Sequence, residues 1–212
     1  AGGTWGPITG TVSGTDRADT AISETELGIL SGGDIYVSDG SAIAAVTDPD
    51  FPSTITSLAV MSQRLLFSSS DGQFWFSSVL DFDDITGLNF YTAEGAPDGL
   101  IAVRVWAELA LMFGTRTLEM WYSEPSNAND PFSRASSVVP VGCKARDTIA
   151  ICSKGPVWVD PEDNVVALAG ADAPTVSPPW VSRLIAAEDA DDLIASTYKA
   201  EGQEFYVLNG AN

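Results

Sequence analysis

The chain contains no histidine among its 212 residues, and only 10 lysines and arginines stand against 29 aspartates and glutamates. The first absence removes the commonest general base and the commonest metal ligand. The shortage of basic residues argues against tight phosphate contact, because affinity for DNA comes mainly from Lys and Arg displacing counterions. It does not forbid standing beside DNA, since an acidic surface lets a polyanion slide past without sticking. Simple solubility or adaptation to salt accounts for the same imbalance. Cysteine is scarce as well. Cys143 and Cys152, nine residues apart, could bridge a hairpin, but two thiols make no disulfide framework and fit two ordinary buried cysteines better. No run approaches the roughly 18 apolar residues of a membrane span, so no membrane insertion by this chain is expected. The start, Ala1-Gly2-Gly3-Thr4, has no Met and no signal-peptide pattern. There is no phosphate-binding glycine loop, no Gly-x-Ser-x-Gly and no clustered cysteine ligand set. No catalytic, cofactor-binding or metal-ligating residue is assigned, no cofactor is implied, and the chain does not read as an enzyme.

What is present is a recurring hairpin. Leu109 to Phe113 is an apolar run too short for a helix face and suited to a strand buried on both sides. A turn at Gly114 follows, and then Leu118, Met120 and Tyr122 alternate with Thr117, Glu119 and Trp121, the period of a half-buried partner strand. Similar pairs flank Asp39-Gly40 (Ile35–Val37 with Ala42–Ala44) and Asp71-Gly72 (Leu65–Phe67 with Phe74–Phe76). Two more flank Lys154-Gly155 (Ile149–Cys152 with Val157–Val159) and Glu201-Gly202 (Leu193–Ala195 with Phe205–Leu208). The turn glycines at 40, 72, 114, 155 and 202 are spaced by 32, 42, 41 and 47. A repeat of roughly 40 to 50 residues made of short strands with aromatics is the pattern of propeller blades. An ordinary sandwich would place turns every 8–12 residues or so, without the longer period.

The expected fold is therefore all-β, built of β-propeller-like repeats of antiparallel strands. Residues 1–30, rich in Gly, Thr, Ser and Asp, read as an irregular N-terminal segment or the end of a preceding region. Residues 31–212 read as the propeller-like domain, incomplete at its C-terminus because the last strand has no closing partner. Residues 77–100 read as a long irregular connection, and Val138–Val141 as a strand. Val181 to Ile194 is the one helix candidate, with Ser182 as a cap and Leu184, Ile185 and Leu193 to one side. The acid excess avoids the centre: residues 101–150 hold five acids and five bases, while 151–212 hold ten and three. That neutral window is the first guess for close subunit packing.

Two acidic clusters invite a site reading, Asp81, Asp83 and Asp84, and Glu188, Asp189, Asp191 and Asp192. Calcium favours oxygen clusters on loops, but Asp81 to Gly87 does not follow the Asp-x-Asp-x-Asp-Gly order, and solvated acidic loops explain both. Nothing selects a glycosidase pair from 29 carboxylates. Arg116, at a hairpin tip, could pair with Glu119 or with a neighbouring subunit, or be solvated. Trp75, Trp106, Trp121 and Trp158 could stack sugars, but their places on recurrent strands favour core packing.

Seven segments, in order, resemble one family, the tail-hub or nozzle proteins of short-tailed phages, also called packaged-DNA stabilisation proteins. They are Thr47-Asp48-Pro49-Asp50-Phe51-Pro52, Gly72-Gln73-Phe74-Trp75-Phe76-Ser77 and Ala93-Glu94-Gly95-Ala96-Pro97-Asp98. Next come Phe113-Gly114-Thr115-Arg116-Thr117-Leu118-Glu119-Met120-Trp121, Asp130-Pro131-Phe132-Ser133-Arg134 and Gly142-Cys143-Lys144-Ala145. Glu201-Gly202-Gln203-Glu204-Phe205-Tyr206-Val207-Leu208 closes the series. Gln203 stands where the family pattern suggests histidine, and Val176-Ser177-Pro178-Pro179-Trp180 is a loose version of its Ser-Thr-Pro segment. The resemblance implies a structural virion protein of the phage tail, assembled in the host cytoplasm. It also implies a ring of self-copies, a homo-hexamer, below the portal-adaptor. Such a ring closes the DNA exit channel, retains packaged DNA with a tail needle or plug, conducts DNA during ejection and carries tailspikes or fibres. Six copies would bring about −114 formal charges to a wall that DNA passes without specific binding. Rival readings are a secreted β-propeller glycan-binding or glycoside-hydrolase domain, and a calcium-dependent adhesion module.

Overall fold

The computed structural model describes residues 6–93, 99–124, 126–127 and 130–211. Most of the Ala93–Asp98 segment and parts of the 124–131 loop lie outside the described residues. The chain forms five antiparallel sheets in sequence order. The first holds β1 (Asp19–Ile22), β2 (Leu27–Ser31), β3 (Asp34–Ser38) and β4 (Ile43–Ala45). The second holds β5 (Ile55–Met61), β6 (Arg64–Ser69), β7 (Gln73–Phe76) and β8 (Phe90–Thr92). The third holds β9 (Leu100–Trp106), β10 (Leu109–Gly114), β11 (Leu118–Ser123) and β12 (Phe132–Val139). β13 (Ala150–Cys152), β14 (Gly155–Val159) and β15 (Val165–Ala167) make the fourth, and β16 (Ile194–Ala200) with β17 (Gln203–Asn209) the fifth. Each sheet is a meander in which every strand pairs with its sequence neighbour. The fold is an all-β propeller series, and its last sheet has two strands.

Each core lies between one sheet and the next. Leu30 and Ile35 of the first sheet meet Leu58, Leu65 and Phe67 of the second. Leu66, Phe74 and Phe76 of the second meet Val103, Met112 and Trp121 of the third. Leu111, Phe113 and Leu118 of the third meet Trp158 and Val166 of the fourth. Val159 and Val165 of the fourth meet Ile185, Leu193, Tyr206 and Leu208. Side chains alternate across a strand, so Leu66 faces one core while Leu65 and Phe67 face another. This is why the middle strands read as continuous apolar runs and not as an alternation. Each such Leu or Phe, fully buried, contributes about 1.5–3 kcal/mol.

The same geometry corrects the half-buried reading of β11. Leu118 and Met120 join the third–fourth core, Trp121 joins the second–third core, and Glu119 between them is only 2% exposed. Its carboxylate accepts from Trp121 Nε1 at 3.2 Å and lies 3.6 Å from Arg134 Nη1. Only Tyr122 of the alternating set is exposed.

Four two-residue turns, Gly32-Gly33, Ser62-Gln63, Ala107-Glu108 and Glu201-Gly202, place both residues at positive φ. That is the hairpin turn whose twist matches the strands it joins. Two of them contain no glycine and leave no turn signature in the sequence. The five glycines used above to measure the period mark different junctions. Gly40 lies between β3 and β4, Gly72 between β6 and β7, and Gly202 between β16 and β17. The period persists because first strands begin at 19, 55, 100, 150 and 194. Gly142 is required for close approach, since a Cβ there would fall 2.3 Å from the Thr115 carbonyl oxygen.

Four local expectations are corrected. Residues 1–30, read as irregular, contain β1 and most of β2, tied to the sheet by the ladder to β3. The 77–100 connection contains β8, and the strand expected at Val138 starts at Phe132. The helix α1 spans Pro179–Ile185, with Pro178 at its N-cap and no capping side chain. Ser182 instead lies inside it and donates to Asn164 Oδ1 at 2.9 Å. Ile185 and Leu193 are buried as expected, while Leu184 is exposed and a separate 3-10 turn covers Ala190–Asp192.

Candidate functional site

The first strands of neighbouring sheets pack side by side, β1 against β5, β5 against β9 and β13 against β16. They form the inner wall of the series and carry its polar cross-links. Asp19 of β1 accepts from Leu58 N of β5 at 2.9 Å and pairs with Arg104 Nη1 of β9 at 3.0 Å. The same guanidinium nitrogen donates to the carbonyl of Val103 at 2.9 Å. Buried Ser57 of β5 accepts from Val103 N at 2.6 Å, so one hydroxyl replaces a ladder bond between two sheets. Three blades are thereby joined without a continuous sheet.

A second knot lies near the first, with Asp19 close enough to act on its arginine. Arg146, in a 3-10 turn at Arg146–Thr148, donates to the carbonyls of Thr56 at 3.2 Å and Arg17 at 3.1 Å, and to Asp147 Oδ1 at 2.9 Å. Asp147 lies 3.6 Å from Arg17 Nε. Burial works against the Arg146 charge, but the Asp147, Asp19 and Asp16 carboxylates together outweigh it and hold the pKa above its ordinary value. These groups line a cavity of about 690 Å³ together with Gly32, Ile101 and Asp191, residues of all five successive blade regions. The cavity carries charges of both signs, and both of its arginines, Arg17 and Arg146, pair with Asp147, which suits a structural axis better than a reaction site.

The acidic clusters are engaged by local hydrogen bonds. Asp84 accepts from Ser78 Oγ at 2.6 Å, and Glu26 accepts from Phe82 N at 2.9 Å. Asp81 shares a hydrogen bond with Asp83, and that contact, burial and the neighbouring Asp83, Asp84 and Glu26 charges push its carboxyl up to about 6. Asp189 caps the 3-10 turn by accepting from Asp191 N, and Glu188 accepts from Ala211 N at 3.2 Å. Among the described residues no three His, Cys, Asp or Glu side chains converge as metal ligands. Trp158 is fully buried, with Nε1 donating to Gly142 O at 2.8 Å, and Trp121 packs edge-on to Phe74 at 4.9 Å between ring centres. Trp75 and Trp106 are half-buried against core clusters. Cys143 is buried and Cys152 half-buried, both free. Arg116 is exposed beside the β10–β11 turn.

The profile of a phage family described as "Bacteriophage P22 Gp10, beta-propeller" matches residues 5–209. The chain belongs to this phage stabilisation family. The match spans all five sheets, so the packaged-DNA stabilisation proteins are its relatives along nearly the whole length, and a phage structural role follows. Comparison with curated protein sequences gives no match. Solved structures share the architecture at low identity. The Myceliophteria thermophila Cps50 (Swd1) β-propeller domain is 11% identical with a TM-score of 0.53, over 73% of this chain and 56% of that one. Dihydro-heme d1 dehydrogenase NirN is 10% identical with a TM-score of 0.56, over 92% and 41%. The extracellular domain of BT4673 from B. thetaiotaomicron is 9% identical with a TM-score of 0.54, over 80% and 23%. This chain spans about half the length of the first of these and less of the others, and the likeness concerns fold alone.

Proposed function

We propose that this phage stabilisation protein is a wall-forming subunit of the tail passage. In this reading copies assemble as a ring of six below the portal-adaptor, hold packaged DNA in with a needle or plug, and conduct it at ejection. Outer surfaces carry tailspikes or fibres. The reading rests most on how the few basic residues are spent. Arg17, Arg104, Arg134, Lys144, Arg146 and Lys199 lie in ion pairs within the chain. Arg64 donates to the Ser77 carbonyl and lies over the Phe76 ring. At least seven of ten cations thus serve the fold, while the net charge of −19 sets a field that repels phosphate. A duplex moves past such a wall without gripping it, which a conduit requires.

The test has two parts, imaging the purified assembly by negative-stain electron microscopy and titrating it with duplex DNA at low salt. Six-fold rings with no DNA retention at about 50 mM salt agree with the proposal, since basic grooves bind strongly under those conditions. Salt-sensitive DNA binding would refute the passive wall, and a dispersed monomer would refute the ring.

A further inference from the structure

Two surface patches on separate blades, one on the second and one between the fourth and fifth, carry complementary chemistry. The first is α1 with the segment before it. Residues 173–187 contain no acid and one base, Arg183, within a chain of net charge −19. Trp180 and Leu184 are 58% and 60% exposed, and Val176 is exposed beside them. Trp180, Arg183 and Leu184 are spaced i, i+3 and i+4, so they share one face of the helix. The inward residue of the same helix, Ile185, already fills the fourth–fifth core. Among the described residues the outward stripe is left exposed, and Trp and Arg are residues that anchor interfaces.

The second patch is the 77–89 loop between β7 and β8. Phe82 and Ile85 pin it to the first–second core, which leaves Val79, Leu80 and Leu88 exposed among Asp81, Asp83 and Asp84. The three carboxylates have no cation within the loop. Asp84 takes a serine hydroxyl, and Asp81 and Asp83 face each other. Apolar side chains held out among unneutralised acids fit a partner that is itself apolar with a positive charge.

We propose that the α1 stripe of one copy seats on the 77–89 loop of a second copy, with Arg183 entering the Asp81/Asp83/Asp84 cluster. This rests on the ring reading above and names its contact. The two patches differ and lie on different blades, so the contact is head-to-tail, the kind that generates a closed ring when its rotation closes. Charge sign selects this pairing. Most of the surface of a second copy repels its neighbour, and a joint between like-charged subunits needs a place where cation and acid meet.

The test is sedimentation velocity on the 212-residue chain and its variants, with thermal melts confirming that each variant folds. Wild type is expected to associate. Leu184→Glu and Arg183→Glu are each expected to weaken association at least about tenfold, and Arg183→Glu combined with Asp83→Arg to restore it to within roughly a factor of three, because the charge pair is reversed and not removed. An assembled wild type with an equally assembled Leu184→Glu would overturn this contact and leave the ring reading standing. Dispersal by Arg183→Glu without restoration in the double variant would overturn the loop as the seat. A wild type monomeric at about 100 μM would overturn both, since stable contacts persist far below that concentration.

Discussion

Replacing Asp19 by Ala separates the inner-wall account from a simpler one in which the apolar interblade cores hold everything. One carboxylate oxygen receives Leu58 N at 2.9 Å and Arg104 Nη1 at 3.0 Å, and both ion-pair side chains are less than one-fifth exposed. Truncation strands an amide, at about 1–3 kcal/mol. It also removes the partner of a part-buried charge, whose fully buried counterpart would lose roughly 3–5 kcal/mol. Arg104 keeps the Val103 and Leu58 carbonyls, so the combined loss should be about 2–3 kcal/mol. Asp19→Asn retains an acceptor for the amide and should lose only about 1 kcal/mol. Arg104→Met alone should also lose about 1 kcal/mol, and the Asp19→Ala/Arg104→Met pair should fall short of additivity by roughly 1–2 kcal/mol. Urea unfolding with a common slope measures all four. If Asp19→Ala stays within about 0.5 kcal/mol of wild type, as an ordinary surface change does, the cross-link between the three first strands is not structural.

Other perturbations probe separate features. Trp158→Ala should destabilise by about 3–5 kcal/mol, lowering Tm by roughly 10 °C in a chain of this size; Trp158→Phe should lose about 1–2 kcal/mol through the stranded Gly142 carbonyl. Ser62→Asn with Gln63→Gly should stabilise by up to about 1 kcal/mol in the same melts, because both positions hold positive φ. Asp81, raised from 3.8 to about 6 in the folded protein, contributes stability that is present below its unfolded value and lost as pH rises through about 6. Asp81→Asn should therefore stabilise at pH 7.5 and be nearly neutral at pH 4. Solvent screening at this largely exposed site keeps the gain below about 1 kcal/mol, and urea midpoints at the two pH values check the sign.

The middle strands were legible because burial on both sides leaves runs such as Leu109–Phe113 with no polar interruption. Glu119 broke that pattern in the sequence, yet it is buried, since its partners Trp121 and Arg134 come from its own strand and the next. At Ser62-Gln63 and Ala107-Glu108 the turn itself left no mark in the sequence, although the strands on either side did, because strand twist imposes the left-handed conformation there without glycine. The expected helix start at Val181 falls two residues late, since proline at a first helical turn loses no hydrogen bond. The acid excess was plain from composition. The axial knots were not, because Asp19 and Arg104 are 85 residues apart and Arg146 meets Arg17 across 129.

Strands inside a four-stranded sheet pair on both sides, whereas β4 and β12 stand at sheet edges and pair on one. Amide protons of β6 and β10 should therefore exchange with deuterium after those of β4 and β12. Opening should run from the outer edge of each blade inward, with the first strands tied by Asp19 and Arg104 the last to part.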